Sequence, residues 1–148
     1  MTDERGGDLA AIRCWFEELE DCVRRVDFDA GRAFFAPDVV AFGTRADVVA
    51  GLDALVANQW RGIWGYIRDF RFAIDQLHAG CDGDLAWGVV PWTSTGFDAT
   101  GRPFDRPGRA TVIFERRAGR WLAKHTHFSL NPGTPPRTFG PAGRSKST

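Results

Sequence analysis

The chain has 148 residues, the length of one ordinary domain, with 43% hydrophobic and 13% aromatic side chains to build a core. Its 19 basic and 19 acidic residues cancel and form no basic stripe, which argues against nucleic acid as a partner. Three cysteines, Cys14, Cys22 and Cys81, show neither CxxC spacing nor an even count, and no apolar run approaches the roughly 18 residues of a membrane span, so a soluble protein of the reducing cytoplasm is expected.

Residues 1–8 are polar and glycine-containing and are expected to be disordered. From Leu9 the apolar positions Ile12, Trp15, Phe16, Leu19, Cys22, Val23 and Val26 step by three and four, which predicts a long helix with one buried stripe. Asp27 or Asp29 caps a short second helix that ends before Pro37. Val39–Phe42 reads as a short strand, and residues 47–61 as a third helix with Gly51 inside it. Phe70–His78 reads as a strand, and Gly80–Asp84 as a turn. Leu85–Phe97 is a long strand in which Pro91, lacking an N–H, implies a bulge or an edge. Residues 98–108, with Gly101, Pro103, Pro107 and Gly108, read as a loop. Arg109–Arg117 and Trp121–Leu130 are strands joined by Ala118-Gly119, and residues 132–148 read as a disordered tail.

Helices followed by antiparallel strands predict an α+β domain over residues 9–131, with the helices on one face of the sheet. Strand alternation places Trp87, Val89, Ile113, His125 and His127 on the other face. Water is a poor neighbour for that set, so a homodimer is expected across it.

Three stretches, 28–43 (FDAGRAFFAPDVVAFG), 51–64 (GLDALVANQWRGIW) and 119–129 (GRWLAKHTHFS), resemble the nuclear-transport-factor-2-like superfamily of ketosteroid isomerases, SnoaL-like polyketide cyclases and scytalone dehydratase. The last stretch is most similar to the SnoaL-like branch that holds the calcium/calmodulin-dependent kinase II association domain. The resemblance implies a cone-shaped curved sheet wrapped around the long N-terminal helix, with a pocket inside and a dimer outside. It implies a protein that binds a small apolar or aromatic molecule without a cofactor. An isomerisation, cyclisation or dehydration is open to it; a non-catalytic association module is the other reading. Where ketosteroid isomerases carry a carboxylate base, a tyrosine and a second acid, this chain has Gly43, Leu19 and Ala110. Ketosteroid isomerisation by that route is therefore not expected.

The stretch WLAKHTHFSL (121–130) poses the choice of which face looks inward. His125 and His127 could offer two nitrogens to one zinc ion, which would want at least one more His, Cys or carboxylate; His78 is the only other histidine and nothing in the sequence brings it near, so no metal is expected. The resemblance places Lys124, Thr126 and Phe128 on the pocket side. Lys124, with its pKa lowered by burial, is then the candidate base or anion clamp, and Thr126 its orienting donor. The plainer reading has the lysine amine at the rim or paired with an acid. The same phase makes Gly88, Val90, Trp92, Ser94, Ala110 and Val112 candidate lining, joined from the helices by Trp15, Leu19, Trp60 and Trp64.

Overall fold

The computed structural model of the protein describes residues 4–142. Helix α1, Glu4–Arg25, buries Ile12, Trp15, Phe16, Leu19, Cys22 and Val23 along one stripe. It begins at Glu4, before Leu9, and Asp8 takes both Arg116 Nη atoms, at 2.8 and 3.3 Å. Helix α2, Phe28–Arg32, is capped by Asp27, whose side chain accepts from the Ala30 N–H. Strand β1 is Phe35–Phe42 and β2 is Val48–Ala50. The expected third helix therefore starts late: Gly51, at φ +96°, turns the chain out of β2, and only then does it coil. Helix α3 is composite, α-helical at Leu52–Leu55, a π turn at Val56–Trp60, α-helical at Arg61–Ile63 and 3₁₀ at Trp64–Tyr66.

The segment expected as one strand over 70–78 is two, β3 (Arg68–Phe72) and β4 (His78–Asp82), divided by a 3₁₀ turn at Ile74–Gln76. Strands β5 (Leu85–Phe97), β6 (Pro103–Arg117) and β7 (Arg120–Leu130) complete an open sheet of order β2-β1-β7-β6-β5-β3, with β4 also on β5. All pairs are antiparallel except β1 with β7. Pro91 lies opposite the gap between β4, which pairs as far as Val89, and β3, which starts at Trp92, so no ladder bond is lost. Strand β6 begins earlier than its prolines suggested. Pro103 and Pro107 lie beyond the end of the β7 ladder, past which the Asn131 N–H still donates to the Pro107 carbonyl at 3.0 Å.

The sheet curves around α1. The narrow end of the cone is solid: Trp15, Phe16, Phe72 and Phe114 meet edge to face at centroid distances of 4.9–5.9 Å. The Phe16 ring rests on Gly88, where an added Cβ would stand 2.8 Å from it. The segment after β7 returns to the sheet at Thr138 and Phe139, and the Phe139 N–H donates to the Phe97 carbonyl at 2.8 Å. Thr138 is buried, accepts from the Phe97 N–H at 2.9 Å and donates to the Tyr66 carbonyl at 2.7 Å. Phe16→Ala should cost about 3–5 kcal/mol in urea unfolding, because the ring is fully buried among three others. A loss below about 1 kcal/mol would mean the narrow end is loosely packed.

Candidate functional site

The wide end of the cone is not filled. A cavity of about 60 Å³ lies between α1, α3 and the inner face of β1, β5, β6 and β7. Trp60 and Trp64 stack at 4.4 Å and 19° to form one wall. Phe70, Trp92 and Phe128 form another, with Trp92 5.6 Å from Phe70 and 6.3 Å from Phe128. Its polar lining comes from Thr44, Gln59, Arg106 and Thr126. None of the described lining residues is Asp, Glu, His, Lys or Cys.

Arg106 dominates this site. It is 2% exposed, and no carboxylate partners it among the described residues. Burial alone pushes its guanidinium down to about 10, so it remains charged at neutral pH. Nη1 donates to Ser94 Oγ at 3.4 Å, and Nη2 to Thr44 Oγ1 at 3.1 Å. Its Cζ lies 5.4 Å from the Trp92 ring centroid, a cation–π contact that replaces part of the lost hydration. Its Nε–H and the Trp92 indole N–H are buried with no acceptor among the described residues. A downshift of that size corresponds to roughly 3 kcal/mol of unrelieved desolvation.

The expected site residues divide. Trp60, Trp64, Trp92, Thr126 and Phe128 line the cavity, as does Leu19. Val90, Ser94 and Val112 face inward but are off the wall: the two valines are core at 3% and 0% exposure. Ser94 sits opposite Arg106 in the ladder, and its hydroxyl donates to the Arg106 carbonyl at 3.2 Å, so it positions the arginine from below. Trp15 is core; its indole donates to the Phe34 carbonyl at 2.8 Å.

Lys124 does not reach the cavity. Between the pairs Ile113–His125 and Phe114–Ala123, strand β7 spends one extra residue, and that residue is Lys124. The bulge turns its amine outward onto Glu115 Oε2 at 2.9 Å and reverses the alternation, so Ala123 and Thr126 both face inward. Paired with Lys124 and Arg117, Glu115 is held below the usual carboxylate range. His125 and His127 lie on the outer face. The His125 Nδ1–H donates to the Val40 carbonyl at 2.7 Å, and both rings meet the edge of Phe42, at 4.9 and 5.2 Å. His78 is three strands from His127 in the same cross-strand row, and no group of three metal-ligating side chains occurs among the described residues.

Arg106, Thr44 and Gln59 are cavity-lining residues that the sequence reading left out. Counting back by twos from Ala110 through Gly108 reaches Arg106, but only if β6 extends that far. Gln59 lies in the π turn of α3, and its amide folds into the site at 8% exposure. Gln59 Oε1 accepts from the backbone N–H groups of Arg45 and Ala46 at 2.9 and 2.8 Å, and Nε2 donates to Thr44 Oγ1 at 2.9 Å. A Cβ at Gly43 would stand 2.5 Å from Gln59 Oε1. The space beside Gly43 is therefore filled from the opposite side by Gln59.

Residues 12–132 match the SnoaL-like domain family, and the chain belongs to it. Similar solved structures share its fold. An NTF2-like protein of unknown function from Pseudomonas putida is 30% identical over 81% of this chain and 84% of its own, with a TM-score of 0.68. A putative calcium/calmodulin-dependent protein kinase II association domain from Xanthomonas campestris is 22% identical over 86% and 88%, with a TM-score of 0.70. A putative dehydratase of the NTF2-like family from Streptomyces avermitilis is 16% identical over 87% and 99%, with a TM-score of 0.74. Among curated proteins, none matches.

Gly43→Asp should not create an isomerase base. It should displace Gln59 and cost about 1–3 kcal/mol of stability in denaturant titration. Stability equal to the wild type would show that Gln59 is free to move aside.

Proposed function

We propose that the protein binds a small organic anion with an apolar, preferably aromatic, body in the wide end of the cone. The observation that carries this reading is Arg106: a buried charge facing an aromatic cavity with no carboxylate to neutralise it. Buried ions are ordinarily paired, because an unpaired one is costly. A ligand carboxylate is the missing partner, and the tryptophan walls suit its flat body. Proton abstraction from carbon, the step shared by isomerases and many dehydratases, needs a base within reach. The described lining offers none, so binding is favoured over that chemistry.

A second observation favours a homodimer. The outer face carries the ladder row Trp87–Ile113–His125–Val40 and, beside it, Val89–Thr111–His127–Phe42–Val48. Trp87, Ile113, Val40, Phe42 and Val48 are 36–65% exposed. An apolar face of this extent suits a second copy of the chain, with His125 and His127 in the contact. The described residues contain no helix long and apolar enough to cross a membrane, so a lipid bilayer is not invoked.

Two measurements test these readings. Arg106→Met should melt no lower than the wild type, and several degrees higher if the full desolvation cost is recovered. It should also lose binding of benzoate by calorimetry. Unchanged benzoate affinity in Arg106→Met contradicts the anion site. Light scattering should show a dimer that Ile113→Asp converts to monomer while Lys124→Met leaves it intact. A wild-type monomer, or a dimer that survives Ile113→Asp, contradicts the assigned face.

A further inference from the structure

The directions of the hydrogen bonds around Gln59 are all determined. An amide nitrogen cannot accept, so the atom receiving the N–H groups of Arg45 and Ala46 must be Gln59 Oε1. Nε2 therefore faces Thr44 and donates to its oxygen at 2.9 Å. Arg106 Nη2 donates to that same oxygen at 3.1 Å. A hydroxyl oxygen has two lone pairs, and both are now taken. The Thr44 proton can only be given away, and Thr44 lines the cavity.

The polar end thus presents the Thr44 O–H as a hydrogen-bond donor, and the Arg106 Nε–H and the Trp92 indole N–H lie buried on two of its lining residues, without an acceptor among the described residues. The Thr126 hydroxyl, also on the wall, can rotate to suit either kind of partner. Resting on the anion-binding reading above, we infer that Thr44 is a specificity-determining residue held as an obligate donor by Gln59, and that the head group it selects is an ionised carboxylate. An alcohol, a primary amide or a protonated acid would bring its own N–H or O–H against these donors and leave one unsatisfied. Gln59 is a positioning residue; it acts through the Thr44 oxygen.

Matched acid and amide pairs test this by calorimetry: benzoate against benzamide, and isobutyrate against isobutyramide. The wild type should prefer each acid by tenfold or more. Thr44→Ser keeps the hydroxyl and should keep the preference. Thr44→Val should lower it about tenfold through weaker acid binding. Gln59→Glu should reverse the chain: one carboxylate oxygen still takes both backbone N–H groups, and the other draws the Thr44 proton out of the cavity. A Thr44 lone pair then faces inward, and benzamide should bind more tightly than it does to the wild type. That gain is not expected from the added negative charge alone. Acid binding with an acid-to-amide ratio unmoved in Thr44→Val overturns the role of Thr44 and leaves the anion site standing. Failure of the wild type to bind any of the four probes overturns the anion site and this assignment with it.

Discussion

Burying Arg106 with no carboxylate partner among the described residues is the constraint from which the rest of the site follows. A guanidinium at 2% exposure must be satisfied by what surrounds it. The chain supplies Ser94 across the ladder, Thr44 from the loop after β1 and the face of Trp92, and these leave Nε–H unmatched. Each of these partners is in turn held. Ser94 is tied to the Arg106 carbonyl, Thr44 is bridged to Gln59, and Trp92 is flanked by Phe70 and Phe128. The solid aromatic packing at the narrow end provides the rigid base for this arrangement. A positive charge kept in a preformed apolar cavity costs stability in the empty protein, and a function that needs it is the natural account of its presence.

The cavity also shows how far a family fold leaves function open. The frame is shared with proteins named as dehydratases and association domains. Here the residue after β1 is a glycine, and the space a side chain at Gly43 would need belongs to Gln59. The π turn at Val56–Trp60 lets α3 present both Gln59 and Trp60 to the cavity. The cone is retained, and on the reading proposed above the polar groups at its wide end serve to bind an anion.

Much of the fold was legible from periodicity. The stripe of α1 is buried as the spacing of Ile12 to Val23 implies, and β5 alternates through Ala86, Gly88, Val90, Trp92 and Ser94 without a break. Alternation put His125 and His127 on one face, and the resemblance named that face the outer one. What was not legible depended on long-range pairing. The family resemblance placed Lys124 on the pocket side with Thr126 and Phe128, and a bulge set by the register of β7 against β6 turns it outward. Prolines at 103 and 107 disguised the start of β6, because a sequence does not reveal that this stretch lies beyond the end of the β7 ladder. Arg106 was concealed by that same misreading, in a stretch taken for a loop. Thr44 and Gln59 lie fifteen residues apart and meet only through the geometry of the π turn.

The central claim, that Arg106 holds an anion in the aromatic cone, is tested most directly by native mass spectrometry of gently purified wild type and Arg106→Met, each before and after addition of excess benzoate. The account predicts a small adduct on the wild type, released on denaturation and exchanged for or supplied by benzoate, and no such adduct on Arg106→Met. An adduct of equal abundance on both proteins, or a wild type that takes up no benzoate, would contradict it.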